Sequence, residues 1–182
     1  QKNKIIECKN KIADYQYKPN TPLESKYPKM YLKKRGYPIS HILDDEKWGE
    51  RIFQSSFGVY GYTKYSASPV YYHIIKFISI LCLCYFSLSI LIFSKIKEKF
   101  LFLLTITFSF LMIGIALWWS WTADLQAQGR YLLPIVPMFS MLCFKVKKEI
   151  NNCLIFTTIV GLFLLGIYSF TFIGLSQIIP KI

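Results

Sequence analysis

The residues best placed for chemistry lie in one stretch, QAQGRYLLPIVP, from Gln126 to Pro137. Arg130 is a permanent cation at the mouth of an apolar run. Gln126, Gln128 and Gly129 precede it, Tyr131 follows, and Pro134 and Pro137 come shortly after. A helix beginning at Tyr131 puts Arg130 at the positive end of the helix dipole, which disfavours a cation by roughly 0.3–1 kcal/mol. The arrangement therefore asks for an anion. Candidates are Asp124 in the same loop, an acid among residues 44–50, a lipid headgroup, or a phosphate carried by a substrate. The backbone N–H groups of Tyr131 to Leu133, added to Arg130, would make an anion pocket. Gly129 permits a close backbone approach and a positive φ. Gln126 and Gln128 offer neutral hydrogen bonds of the kind sugar hydroxyls accept and donate. The competing reading is an interfacial arginine that anchors a kinked helix to lipid phosphate, with no substrate.

The elements that must hold this stretch follow from where charge is missing. Phe77–Ser94, Phe100–Ala123, Tyr131–Phe144 and Ile150–Pro180 contain no charged residue. About 20 apolar residues at 1.5 Å each cross roughly 30 Å of hydrocarbon. The expected fold is all-α and integral to a membrane. It has about four transmembrane helices, near 69–93, 100–119, 131–146 and 153–175. Ser68 can cap the first of them, and Pro69 suits its first position; Lys76 lies near enough to its end to snorkel. Pro134 costs little in a first turn, whereas Pro137 should bend the third helix. Tyr131–Phe144 covers only about 21 Å, so that element should be short or broken, as is tolerated where backbone lines a cavity.

SKIKEK (94–99) and KVKKE (145–149) carry three lysines each, whereas the loop from Ser120 to Arg130 carries Arg130 as its one basic residue. By the positive-inside rule the lysine segments are cytoplasmic; residues 1–68 and the 120–130 loop are extracytoplasmic, since a long segment is translocated whatever its charge. Trp118, Trp119 and Trp121 match an interfacial belt at the outer end of the second span. Residues 1–68 form an extracytoplasmic region. Up to about residue 38 it reads as loop with at most short helical pieces. HILDDEKWGERIFQSSF then reads as one amphipathic helix, about 42–57, with Trp48, Ile52, Phe53 and Phe57 on one face. Gly58 and Gly61 should end it.

The net charge of +12 is shared equally between residues 1–70 and 71–182 and accompanies no nucleic-acid motif, so a nucleic-acid partner is not expected. Four of the five cysteines, Cys82, Cys84, Cys143 and Cys153, fall in apolar runs and read as small hydrophobes. Cys8 stands alone outside the spans, so no disulfide framework is expected. Asp44, Asp45 and Glu46 read as helix N-terminal charge before they read as a cation site. Lys33-Lys34-Arg35 reads as a solvated basic loop, with contact to anionic headgroups as the alternative. His41 and His73 are isolated. No metal, cofactor or nucleophile–base set is implied.

Gln128-Gly129-Arg130-Tyr131-Leu132-Leu133-Pro134, followed by Pro137, resembles the Q-G-R-Y-x-x-P-x-x-P signature of a family of bacterial multi-pass membrane proteins of unknown function. That family is similar to the GT-C glycosyltransferases. Phe53-Gln54-Ser55-Ser56-Phe57-Gly58-Val59-Tyr60-Gly61-Tyr62 resembles the same family's SFWGxFGW segment. Tyr62 stands where tryptophan is usual, and Val59-Tyr60 departs from the aromatic–glycine order. The resemblance covers roughly residues 48–140. It implies the C-terminal part of a membrane glycosyltransferase of the bacterial inner membrane, using a polyprenyl-phosphate-linked sugar in cell-envelope glycan assembly. It implies for Arg130 a contact to lipid phosphate or sugar, and no catalytic acid can be carried over, because GT-C enzymes place theirs in an early loop. The chain opens on QKNKIIECKNK, without an initiator methionine or signal-peptide layout, and is accordingly expected to be a C-terminal portion. The alternative class is a non-enzymatic scaffold or transporter-like subunit in which Arg130 is an interfacial anchor. The oligomeric state is not legible.

Overall fold

The computed structural model describes residues 2–60, 65–146 and 152–176. The expected helix-breaking role of Gly61, the Tyr62 motif position, most of the 145–149 lysine segment and the C-terminal tail lie outside the described residues. The described residues are mostly helical: α1 (Lys2–Ile12), α2 (Ile39–Asp44), α3 (Trp48–Phe57), α4 (Pro69–Phe93), α5 (Ile96–Thr122), α6 (Ile135–Lys145) and α7 (Asn152–Ser169). A short antiparallel pair, β1 (Val59–Tyr60) and β2 (Tyr65–Ser66), joins α3 to α4. Among the described residues three helices are long and apolar enough to cross a membrane: Pro69–Phe93, Ile96–Thr122 and Cys153–Leu175. Phe77, Phe93, Phe110, Phe156 and Phe163 are all about two-thirds exposed along them. Such faces suit hydrocarbon and not water, so the protein is an all-α membrane protein.

The expected third span, 131–146, differs. Residues 129–145 form a 3-10 turn (Gly129–Leu132) and then the 11-residue α6. At 1.5 Å per residue α6 covers about 16 Å, roughly half the hydrocarbon thickness. Pro134 is the reason, since it occupies the N-cap of α6 and starts the helix after itself. Pro137 therefore falls in the first turn, where its missing N–H has no partner to lose, and the bend expected there has no cause.

The chain divides into two compact units. The first holds Gln1–Trp48 and Ile115–Gln126, the second Gly49–Gly114 and Ala127–Ile182. In the first unit, residues 29–33 run along the end of α5. Tyr31 N–H donates to Ala123 O (2.8 Å), Lys33 N–H to Trp121 O (3.0 Å), and Leu125 N–H to Lys29 O (3.1 Å). The first two bonds satisfy carbonyls that the C-terminus of α5 leaves open. Trp48 Nε1 donates to Ser120 Oγ (2.9 Å) in the buried interior of this unit. The segment up to residue 38 holds more helix than expected: KNKIIECKNKI lacks glycine and proline and forms α1.

The single amphipathic helix expected over 42–57 is two helices. Lys47 adopts φ +48°, a left-handed corner between α2 and α3. The three acids at this corner diverge. Asp45 pairs with His41 Nδ1 (2.6 Å) and Glu46 with Lys29 (2.7 Å).

In the second unit Ser68 caps α4 by accepting from Tyr71 N–H (3.3 Å), with Pro69 at the first position, as the sequence predicts. Two apolar clusters hold the unit together. Phe86 and Ile90 of α4 pack on Leu142 and Val146 at the end of α6, with Leu101 and Phe102 of α5 and Ile155 of α7 against them. Tyr71, Tyr72 and Ile75 form the other cluster with Phe53 and Phe57 of α3 and with Leu162, Leu165 and Ile173. The first cluster joins the end of α4, the start of α5, the end of α6 and the start of α7. Lys95, Lys97, Lys99 and Lys145 therefore belong to one end of the unit, and α3 to the other.

Candidate functional site: the α3–Arg130 corner

Two sequence segments meet in the second unit. Ser55 and Ser56 near the end of α3 carry the chain from Ala127 to Gly129. Gly129 N–H donates to Ser55 Oγ (2.8 Å), and that hydroxyl reaches both Ile52 O (3.0 Å) and Ala127 O (3.3 Å). A side chain at Gly129 is sterically impossible without rearrangement. Its Cβ would stand 1.9 Å from Ser56 Oγ and 2.7 Å from Ser56 Cα, and Gly129 is buried. The expected close approach is therefore the reason for glycine here. The expected positive φ is not, since Gly36 alone among the described glycines has one.

The segment around Gly58 is equally tight. Tyr71 donates its hydroxyl to Phe57 O and Tyr72 donates to Gly58 O, both at 2.8 Å. A Cβ on Gly58 would meet Ser169 Oγ at 3.0 Å and the Tyr71 ring at 3.1 Å. Tyr60 reaches over to donate to Ser169 Oγ (3.0 Å), and its ring lies flat enough on Gly174 that a Cβ there would stand 3.1 Å from it. Ser169 is fully buried, and immediately after it residues Phe170–Leu175 widen into a π-helix. Such bulges frequently mark functional positions in helices. Sequence reasoning missed Ser169 and Tyr60, because a serine and a glycine five residues apart in an apolar run carry no pattern of their own.

The predicted site residues fall as follows. Arg130 is exposed; its guanidinium lies over the ring of Tyr131 (5.3 Å), and Nη2 contacts the Tyr131 hydroxyl at 3.4 Å. Among the described residues of this unit no carboxylate pairs with it. Gln128 precedes the 3-10 turn in extended conformation, without a side-chain cap bond. The anion pocket expected from backbone amides does not form as drawn. Tyr131 N–H donates to Gln128 O (3.2 Å) and Leu133 N–H to Arg130 O (3.3 Å), because the 3-10 turn closes on its own amides. Gln126 and Asp124 belong to the first unit, where Gln126 Nε2 donates to the Asp124 carboxylate (2.6 Å). That carboxylate thus already has a hydrogen-bond donor within its own unit.

In the basic run, Lys33 and Lys34 are exposed, as a solvated loop requires, whereas Arg35 is partly buried and has a structural role. The Arg35 fork donates to three backbone carbonyls, Met30 O (3.0 Å), Leu23 O (2.6 Å) and Lys26 O (3.0 Å). Lys33 Nζ sits over the rings of Trp118 (4.4 Å) and Trp121 (4.8 Å), and Trp121 Nε1 donates to Tyr37 O (2.8 Å). These cations organise the first unit's loop on the tryptophan end of α5.

A groove also opens between α3 and the start of α4. Its volume is about 520 Å³, and Glu50, Phe53, Gln54, Tyr72, His73 and Lys76 contribute to its walls. No family model, no characterised protein and no solved structure matches the chain.

Proposed function

We propose that the corner at Gly129–Arg130 is a lipid-phosphate contact, and that the chain is the C-terminal part of a GT-C-like glycosyltransferase. The enzyme would use a lipid-phosphate-linked sugar in cell-envelope glycan assembly at a bacterial inner membrane. The observation carrying the phosphate contact is that Gly129 is clamped to α3 on both backbone and Cα side, while the next residue, Arg130, is exposed and pairs with no carboxylate among the described residues of its unit. A guanidinium on a rigid backbone loses little entropy on gripping an anion. The transfer half of the reading rests on the resemblance of QGRYLLP and FQSSFG to the membrane family; their packing against each other supports reading them as one feature. The two lysine-bearing ends lie together, which supports a cytoplasmic assignment for that end and an extracytoplasmic one for α3 and Arg130.

A second reading has its own support. The exposure of Arg130 and the internal use of the Tyr131 and Leu133 amides favour an interfacial anchor in a scaffold or transporter-like subunit. Arg130→Ala in the full-length protein separates the two. Loss of glycan product at unchanged membrane abundance is the expected result. Loss of abundance in step with function supports the anchor and refutes the transfer reading. Orientation is checked by Ala127→Cys, expected to react with an impermeant thiol reagent in cells whose outer barrier is opened. Labelling that requires lysis of the plasma membrane overturns the assignment.

A further inference from the structure

The groove between α3 and α4 combines features that no requirement of folding explains. Lys76 lies in the second turn of a helix built to cross a membrane, about 10 Å in from Pro69 at 1.5 Å per residue. It is exposed, and among the described residues it has no acidic partner. An ionisable residue at such depth is costly unless it meets a partner. His73 stands one turn above it on the same face, also exposed and without a described acidic partner. The facing wall is α3, where Gln54 Nε2 donates to Glu50 Oε1 (3.0 Å), leaving the second carboxylate oxygen of Glu50 to accept. Tyr72 presents only its ring, because its hydroxyl already donates to Gly58 O and accepts from Ala67 N–H. Below Lys76 on the same stripe, Ile80 and Leu83 are each 49% exposed and apolar.

The geometry points to a binding site for an anionic phospholipid whose headgroup carries hydroxyls. Lys76 and His73 face the phosphodiester, Glu50 accepts from a headgroup hydroxyl, and the acyl chain follows Ile80 and Leu83 down α4. A lipid fits better than a soluble phosphate ester for a stated reason. The cation lies two turns below the start of the helix, within a lysine side chain's reach of the phosphate layer, and its neighbours further down are exposed apolar residues. Bare snorkelling of Lys76 needs neither the groove nor a carboxylate across from it. The site uses Glu50 and Gln54 of α3 and neither Ser55 nor Ser56, and it stands independently of the sugar-transfer reading.

Native mass spectrometry of the full chain released from detergent micelles, titrated with phosphatidylglycerol, phosphatidic acid and phosphatidylcholine, tests it. Wild type is expected to bind phosphatidylglycerol at least tenfold tighter than phosphatidylcholine. Lys76→Gln should lose about tenfold, a single charge-assisted contact, and Lys76→Arg should retain binding. Glu50→Ala, which removes the acceptor, should lower the preference for phosphatidylglycerol over phosphatidic acid, which has no headgroup alcohol, about threefold. Millimolar glycerol 1-phosphate should not compete; displacement by it would refute a lipid source. Equal binding of Lys76→Gln and wild type, with thermal midpoints matched, overturns the site. If Arg130→Ala weakens phosphatidylglycerol while Lys76→Gln does not, the phosphate goes to the Gly129–Arg130 corner and this inference fails while the earlier one survives.

Discussion

Gly129→Ala is the sharpest perturbation of the site's framework. The added Cβ would overlap Ser56 Oγ at 1.9 Å, Ser56 Cβ at 2.8 Å and Ser56 Cα at 2.7 Å. The hydroxyl can rotate away, but the Cα cannot, so the 127–131 backbone must lift off α3. Overpacking of this kind typically costs about 1–3 kcal/mol. Lifting also stretches the Gly129 N–H bond to Ser55 Oγ, worth about 1 kcal/mol. The sum of roughly 2–4 kcal/mol corresponds to a fall of roughly 5–12 °C in midpoint for a chain of this size. The assay is thermal or denaturant unfolding of the purified protein in micelles, with Ser56→Gly and the double variant completing a cycle. Removing the Ser56 side chain relieves two of the three overlaps and leaves the Cα, so rescue should be partial, with a coupling of about 1 kcal/mol or more. A neutral Gly129→Ala, or strictly additive single changes, would refute the claim that this glycine exists for close approach to α3.

Three further outcomes follow from the same reasoning. Arg35→Ala should destabilise the first unit by about 2–4 kcal/mol, since three part-buried carbonyls lose their donor, and Arg35→Lys should not rescue because one ammonium cannot span the fork; amide exchange over residues 23–37 reads this. At the left-handed corner, Lys47→Gly should be neutral or stabilising by up to about 1 kcal/mol, whereas Lys47→Val should destabilise by about 1–2 kcal/mol, judged by unfolding midpoints. Ser169→Ala removes the acceptor of the Tyr60 hydroxyl with little change of volume, so a loss of about 1–2 kcal/mol is expected in unfolding, and Tyr60→Phe in that background should recover most of it.

The long helices were readable from composition alone. Phe77–Ser94 and Ile150–Pro180 lack charge because a membrane-crossing helix must, and Ser68-Pro69 announces the start of α4 through local capping that needs no distant partner. The same local character made the requirement for glycine beside Arg130 visible. What tertiary structure decided was which backbone groups find one another. The Tyr131 amide was open to an anion on paper and is closed by a 3-10 turn, a choice settled by Pro134 starting α6 late. Arg35, one of three basic residues in a row, became a structural fork only because three carbonyls from separate turns converge on it. The Ser56–Gly129 contact and the groove facing Lys76 join residues far apart in the chain. Hydropathy reports how a residue meets its solvent, and that is a property of each residue with its neighbours; packing within ångströms depends on partners that the linear order does not name.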